Sequence, residues 1–294
     1  MSQAWVDSHR LASGAARRAR LRASRLYLVT DDVTPADALP ALIAAALQGG
    51  VDLVQLRRKG VPSEQLVELA VGCREVCHAA GALFLVDDHV ELALASAADG
   101  VHLGQDDTPV ADARRSLGPE LLIGLSTHDA PQVRAAASLD VDYIAAGPVH
   151  ETPTKAGSSA VGFEHVEVAA RAATVPVVAI GGLGATDAAA AIEAGADMVA
   201  VVRAICASAD HQAAARAIRT RIEAASAWSW VEVNGEARKC RHRESLQGWV
   251  DALRLDSSAL VIERNGTIAD RREWDTIELG AGDRLELVHF VGGG

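Results

Sequence analysis

The sequence is short of aromatic residues, of positive charge and of long apolar runs, and each shortage excludes a class of function. Aromatic side chains make up 3% of the 294 residues, too few for a base-stacking nucleic-acid surface. The formal net charge of −11 opposes general binding to DNA or anionic membranes. No apolar run approaches the roughly 20 residues that cross a bilayer, and we recognise no signal segment. We therefore expect no nucleic-acid or membrane partner and a cytoplasmic location.

Cysteine is also scarce, and its spacing argues against metal binding. Cys73 and Cys77 are four residues apart on a predicted helix and would share a face. That spacing could begin a metal site, but no second Cys/His pair completes it. We interpret them, with Cys206 and Cys240, as reduced structural thiols, and keep a metal or redox role as the less favoured alternative.

What the sequence does contain is a repeat of short aliphatic runs separated by Ala-rich helical stretches. The runs are almost continuously apolar, as in parallel strands covered on both faces. Eight strand–helix repeats in about 200 residues predict a (β/α)8 TIM barrel. An open doubly wound sheet is the alternative, but its dinucleotide fingerprint is missing after the first run. The runs begin at Arg25, Asp52, Ala82, Gly100, Leu121, Asp142, Val175 and Asp197, and the clearest helical stretches are 35–48, 63–80, 129–137 and 186–194.

The two ends of the chain differ from the predicted barrel, which we place at 25–222. Residues 1–24 form an Arg-rich extension, for which a frayed helix is favoured over a targeting peptide or a nucleic-acid arm. After a linker at 223–229, residues 230–294 have the pattern of a small ubiquitin-like (β-grasp) α+β domain. The pattern comprises a hairpin with an Asn234-Gly235 turn, a helix from Ser245 and two further strands. The last glycines are predicted to be a mobile tail.

Polar residues follow several predicted strands at the point where each strand ends, which is where TIM barrels carry their chemistry. Arg57, Lys59 and Lys155 supply cations, and Asp88 and Asp107 supply oxygen ligands from neighbouring strands. Magnesium is commonly held by one or two carboxylates plus substrate phosphates. Together with Gly-rich and amide-rich turns after the last two strands, this predicts a magnesium-bridged diphosphate site and a separate monophosphate site.

Six ordered motifs carry a family resemblance: VQLRRKG, LVDDHVELAL, DGVHLGQDD, GLSTH, GPVHETPTK and AIGGL. In this order they resemble thiamine phosphate synthase over roughly residues 25–222. The resemblance implies an enzyme that joins hydroxymethylpyrimidine diphosphate to thiazole phosphate and releases diphosphate, with Mg²⁺ as cofactor. A thiazole tautomerase and a non-catalytic scaffold that binds thiazole phosphate remain the alternatives.

The resemblance also implies a role for individual residues. Asp88 and Asp107 would bind magnesium, and Lys155, Ser126 and Arg57 would act in catalysis. The substrate-binding residues would be Gln55, Arg57, Lys59, Asp87, Ser126, Thr152, Thr154, Lys155, Gly182, Val202 and Arg203. Three positions depart from the family pattern: Asp87 replaces a common Asn, His89 a frequent Arg and Arg203 a usual Ser. His102, just after a strand begins, is interpreted as structural.

Residues 229–294 resemble the sulfur carrier of thiazole synthesis, most clearly in LVIERNG and DRLELVHFVGGG. The resemblance implies that the terminal glycine carboxylate is adenylated and converted to a thiocarboxylate. Gly293 and Gly294 would form this reactive end, with an adenylating enzyme and a thiazole synthase as partners. Because the sequence ends at Gly294, we expect that no processing is needed to expose it.

Overall fold

A computed structural model of the chain describes residues 13–152, 159–225, 228–241, 244–253, 255, 260–280 and 282–289. The chain divides into two compact units, Met1–Ala225 and Ser226–Gly294. Within the described residues, no helix is both long and apolar enough to cross a membrane.

The first unit contains a closed barrel of eight parallel strands in sequential order, which confirms the predicted architecture. Nearly all strand residues are buried, because each strand faces the barrel interior on one side and a helix on the other. The strands are β1 (Leu26–Val29), β2 (Leu53–Leu56), β3 (Leu83–Asp87), β4 (Gly100–Leu103), β5 (Leu122–Thr127), β6 (Tyr143–Ala146), β7 (Val177–Ile180) and β8 (Met198–Val201).

Helices precede, separate and follow the strands, and several begin at a polar capping residue. Asp129 and Asp210 accept a backbone N–H in the first turn of the helices they precede. The helices are α1 (Gly14–Ala23), α2 (Leu39–Gln48), α3 (Ser63–Ala79), α4 (Val90–Ala95), α5 (Val110–Leu117), α6 (Ala130–Ala136), α7 (Gly162–Ala172), α8 (Ala188–Glu193), α9 (Arg203–Cys206) and α10 (His211–Ala224).

Four aspartates close the N-terminal end of the barrel. Each stands just before an even-numbered strand, and its carboxylate accepts a backbone N–H at the start of the preceding odd-numbered strand. These bonds satisfy donors that the short strands would otherwise bury without a partner. The bonds run from Arg25 to Asp52 at 2.8 Å, from Phe84 to Asp99 at 2.9 Å, from Ile123 to Asp142 at 2.8 Å and from Val177 to Asp197 at 2.7 Å.

Helix α1 packs across this same end, so the expectation of a frayed helix is wrong for Gly14–Ala23. Leu21 of α1 is 1% exposed and joins the apolar cluster inside the barrel. Three of its arginines pair with three of the four aspartates, which gives these arginines a structural role. The pairs are Arg17–Asp99 at 2.9 Å, Arg18–Asp142 at 2.6 Å and Arg20–Asp52 at 3.1 Å.

In its described residues, the second unit contains a five-stranded sheet, one α-helix and an apolar core of its own, as the β-grasp prediction requires. Its strands are arranged in the order β10-β9-β13-β11-β12, and β13 is parallel to β9. The predicted hairpin turn is present, with positive φ at Asn234 (49°) and Gly235 (80°). The elements are β9 (Trp228–Val233), β10 (Glu236–Arg241), α11 (Leu246–Ala252), β11 (Leu260–Arg264), β12 (Thr267–Ile268) and β13 (Arg284–His289).

Candidate active site

Two carboxylates lie in contact at the C-terminal end of the barrel. Asp88 directly follows β3 in the left-handed region, with φ of 59°, and its N–H donates to the carbonyl of His102 at 2.8 Å. Asp107 follows β4, and its Oδ2 accepts the N–H of Gly104 at 2.6 Å. The Asp88 side chain lies close enough to Asp107 to act on it directly. The backbone of β4 and the turn after it therefore hold an acidic pair together.

Ionisation of Asp107 in this pair is electrostatically unfavourable even with Lys59 nearby. Burial and the adjacent Asp88 carboxyl raise the pKa of Asp107, because two like charges in contact disfavour ionisation. Hard carboxylate oxygens suit magnesium. Among the described residues, no group of three or more His, Cys, Asp or Glu side chains could hold a metal ion. Magnesium would fit here with two protein ligands and would need the rest from water or substrate.

Basic side chains from the end of β2 lie beside the acidic pair. Lys59 Nζ is 3.0 Å from Oδ2 of Asp87 and also donates to Asp88. Partial burial lowers the pKa of Lys59, but the contacts with Asp88 and Asp87 outweigh this and raise it overall, so the ammonium group stays charged. Arg57 donates to Asp32, and its Nε lies 3.7 Å from Asp87.

Asp87, one of the three departures from the family pattern, thus lies between two cations. Burial raises the pKa of its carboxyl even though Lys59 and Arg57 oppose the shift. Its position beside the Lys59 and Arg57 side chains shows how a carboxylate is accommodated at residue 87. The described residues also form a shallow pocket at this point, lined by residues that include Lys59, Asp88 and His89.

A chain of polar side chains crosses the barrel interior and joins two of the predicted site residues. It links Gln55 on β2 to Ser126 on β5 through Tyr27, Tyr143 and His102. The distances are Gln55 Nε2–Tyr27 Oη 3.0 Å, Tyr27 Oη–Tyr143 Oη 3.0 Å, Tyr143 Oη–His102 Nδ1 2.9 Å and His102 Nε2–Ser126 Oγ 2.9 Å.

Neither tyrosine of this chain is among the site residues predicted from the sequence, and His102 is predicted there as structural only. They are the only two tyrosines in the sequence, and both lie in strands that are otherwise aliphatic. A polar-tipped residue in a buried barrel strand needs a hydrogen-bond partner in the interior. From the sequence alone, that requirement could have indicated that the two tyrosines take part in a buried polar network.

The ends of β6, β7 and β8 contain the residues predicted for the monophosphate site. Gly182 has φ of 70°, and a Cβ there would lie 2.7 Å from Cβ of His150, so glycine is needed where these two loops meet. His150 Nε2 is also 3.2 Å from Asp187. Val202 precedes α9, and the side chain of Arg203 is exposed. Thr152 is half-buried.

The structure brings part of the predicted site together. Lys59, Asp87, Asp88, Asp107 and Arg57 form one connected cluster. Gln55 and Ser126 are joined by the interior chain. The remaining predicted residues Thr154, Lys155, Gly293 and Gly294 lie outside the described residues.

Comparison with known proteins gives two family matches. Residues 26–205 match the model of the thiamine monophosphate synthase family, and residues 231–294 match the ThiS family. Together they cover the barrel strands and the small sheet domain.

Individual relatives agree with the first match. A thiamine-phosphate synthase from Nostoc sp. is 49% identical over 192 residues, covering 65% of this chain and 54% of the relative. The chain thus spans about half the length of the Nostoc relatives it matches. A thiamine-phosphate synthase from Mycobacterium tuberculosis is 44% identical over 70% of this chain and 98% of the relative. The solved thiamine phosphate pyrophosphorylase from Pyrococcus furiosus aligns with a TM-score of 0.63 and 32% identity, covering 70% of this chain and 98% of that structure.

Proposed function

Because the chain belongs to the thiamine monophosphate synthase family over residues 26–205, we propose that its barrel joins hydroxymethylpyrimidine diphosphate to thiazole phosphate, giving thiamine phosphate and diphosphate. The observation that carries this proposal is the contact between Asp88 and Asp107 beside Lys59. An acidic pair next to a charged lysine suits a substrate that brings both a divalent cation and a diphosphate. A barrel that binds a phosphate group without a metal ion has less need of two adjacent carboxylates.

The residues act mainly on the leaving group. Negative charge grows on the diphosphate as its C–O bond to the pyrimidine methylene stretches, and fixed positive charge nearby lowers the barrier. Arg57 and Lys59 provide that charge, and Lys155 is proposed to add to it. Asp88 and Asp107 would hold Mg²⁺, which when bound supplies further positive charge to the diphosphate. The thiazole nitrogen then attacks the methylene carbon, and no general base is needed because this nitrogen has no proton to lose.

The substrate exchanges contacts with the acidic cluster as it binds. Lys59 bridges Asp87 and Asp88, and its 48% exposed side chain can turn from these carboxylates towards a phosphate oxygen. Magnesium would then balance the negative charge of Asp88 in place of Lys59. Thr152, Thr154, Gly182 and the amides near Val202 and Arg203 are proposed to hold the thiazole phosphate, at the strand ends where TIM barrels commonly bind phosphate.

The test is a coupling assay with both substrates, with and without magnesium. We expect thiamine phosphate and diphosphate in equal amounts when magnesium is present, and a rate at least about tenfold lower when a chelator removes it. Turnover of thiazole phosphate alone to an isomer would favour the tautomerase instead. Binding of thiazole phosphate without any product would favour the scaffold.

For the second unit, we propose that the ThiS-like domain carries sulfur as a terminal thiocarboxylate for thiazole synthesis. The match over residues 231–294 and the β-grasp sheet support this. The Gly294 carboxylate would attack the α-phosphate of ATP and release diphosphate, and a sulfur donor would then displace AMP from the acyl adenylate. The proposed partners are the adenylating enzyme and a thiazole synthase.

Intact-mass analysis tests the carrier proposal. The full chain is incubated with its adenylating enzyme, ATP and a sulfur donor, with an omission of ATP as control. The expected change is the mass gain for replacing one oxygen by sulfur, located on the C-terminal peptide. An unchanged mass alongside a converted positive-control carrier would reduce this domain to an interaction module.

The cytoplasm remains our proposal for the compartment. All four cysteines are buried and free, and burial raises the pKa of Cys73, Cys206 and Cys240 to about 12. Such thiols are poor nucleophiles and suit a reducing compartment in which no disulfide is needed.

A further inference from the structure

The interior chain from Gln55 to Ser126 is almost completely closed to solvent. Tyr27 is 1% exposed, Tyr143 0%, Gln55 3% and His102 7%. The His102 and Tyr143 rings are also stacked, with centroids 5.5 Å apart. Buried polar groups are costly unless each has its partner. The four consecutive hydrogen bonds therefore define a fixed element rather than a set of adjustable contacts.

Only one direction gives every buried hydroxyl hydrogen within the chain an acceptor, whereas the reverse direction leaves the hydrogen of Tyr27 buried without one. A hydroxyl has one hydrogen to donate, and so does a neutral imidazole. Gln55 Nε2 can only donate, so Tyr27 accepts there and has its own hydrogen left for Tyr143. Tyr143 in turn donates to Nδ1 of His102. The ring then carries its hydrogen on Nε2 and donates to Oγ of Ser126.

This direction determines which hydrogen-bonding groups Gln55 and Ser126 can still offer to a ligand. Ser126 accepts from His102 and keeps its own hydrogen, so its hydroxyl is available as a donor. Gln55 uses an N–H internally and keeps its amide oxygen as an acceptor. In the opposite direction, Ser126 would donate to His102 and present only lone pairs. A diphosphate consists of acceptor oxygens, so only the first direction suits it.

We infer that Tyr27, Tyr143 and His102 are positioning residues that keep the Ser126 hydroxyl a hydrogen-bond donor to the pyrimidine diphosphate, an inference that rests on the proposed function. The three residues act through Ser126 and need not touch the substrate. Their effect should therefore appear in the use of the pyrimidine substrate and should disappear when Ser126 is removed.

The tautomer of His102 can be determined without measuring enzymatic turnover. The full chain is labelled with ¹⁵N-histidine, and long-range ¹H–¹⁵N correlation spectra are compared with those of His102→Gln to assign the signal. The wild-type protein should show His102 protonated on Nε2 and bare on Nδ1. Tyr143→Phe removes the donor to Nδ1 and should shift the ring towards a mixture of tautomers. A wild-type ring protonated on Nδ1, or on both nitrogens, would overturn the inference.

Kinetics test whether the chain acts through Ser126. Tyr143→Phe should lower kcat/KM for the pyrimidine diphosphate about tenfold, the usual effect of one weakened hydrogen bond to a charged group, with KM for thiazole phosphate unchanged. In a Ser126→Ala variant the same substitution should lower kcat/KM for the pyrimidine diphosphate by less than about twofold. The effects of substitutions within one hydrogen-bond network are not additive. An equal loss on both backgrounds would contradict the inference.

Thr127→Val is the matched control. Thr127 is the next residue on β5, and its buried hydroxyl donates to the carbonyl of Ala145 at 3.1 Å, outside the chain. Its loss should leave kcat/KM unchanged. If the wild-type protein formed no thiamine phosphate, the proposed function would fail, while the His102 signal would still decide the direction of the chain.

Discussion

At the scale of single residues, the contact between Asp88 and Asp107 has opposite consequences for activity and for stability. Burial and the Asp88 carboxyl both raise the pKa of Asp107, so the ionised form costs free energy in the metal-free protein. Residues retained at such a cost are typical of functional sites. The cost is removed when a cation binds between the two carboxylates.

Asp107→Asn separates these two effects. Asparagine can still accept the N–H of Gly104, but it cannot carry the charge that a metal needs. We expect turnover to fall by about 100-fold or more, on the scale of losing one electrostatic group in an active site. The melting temperature without metal should rise slightly, because the like-charge contact is gone.

Rates and thermal unfolding of the two proteins, each with and without magnesium, would check this. Wild-type rates in Asp107→Asn would contradict the assigned role. A lower melting temperature without metal would show that the carboxylate stabilises the fold instead.

Residues differ in how far sequence alone could place them. Asp88 and Asp107 follow adjacent strands, and adjacent parallel strands end at the same edge, so their proximity could be predicted. The Tyr27–Tyr143 contact could not, because a strand's apolar pattern does not reveal which polar tips meet across a barrel. Thr154 and Lys155 remain predictions.

At the scale of elements, three of the four aspartates before the even-numbered strands join the barrel to α1. Asp142 accepts from Arg18 and Arg114 at 2.6 and 2.8 Å, and its side chain is 4% exposed. It also accepts the N–H of Ile123. Removing it would leave the buried N–H of Ile123 without this acceptor and would take a buried carboxylate from two guanidinium groups, which is a costly kind of change.

Asp142→Ala and Asp140→Ala form a matched pair that tests this. Asp140 also pairs with Arg114, at 3.1 Å, but its side chain is 72% exposed. We expect Asp142→Ala to destabilise the barrel by about 3 kcal/mol or more and Asp140→Ala by about 0.5 kcal/mol or less. Urea unfolding of both variants measures the difference, and equal losses would contradict the role given to the aspartates.

Most elements were predictable because each depends on nearby sequence. All eight barrel strands and the Asn234-Gly235 turn follow from local apolar runs and turn residues. Helix α1 was predicted as frayed because its partners Asp52, Asp99 and Asp142 are distant in sequence. An arginine-rich helix with a short apolar face gives no local sign of what it pairs with.

At the scale of the whole molecule, the chain consists of two units with separate cores. The described residues proposed for the synthase site lie within Met1–Ala225, and the second unit has its own apolar cluster around Trp249 and Trp274. Each proposed function can therefore be tested on its own unit.

A chain ending at Ala225 should keep kcat/KM for the coupling reaction within about twofold of the full chain, since domains with separate cores fold and act independently. Steady-state kinetics on matched preparations measures this, and circular dichroism checks that the shorter chain is folded. A large loss in a folded barrel would mean that the ThiS-like domain contributes to the reaction.

The central claim is that Asp88 and Asp107 together gather a divalent cation with a diphosphate. Electron paramagnetic resonance of Mn²⁺, a stand-in for magnesium, can measure this directly in the presence of inorganic diphosphate. We expect one bound ion per chain in the wild-type protein and at least about tenfold weaker binding in Asp88→Asn/Asp107→Asn. Equal affinity in the two proteins would contradict it.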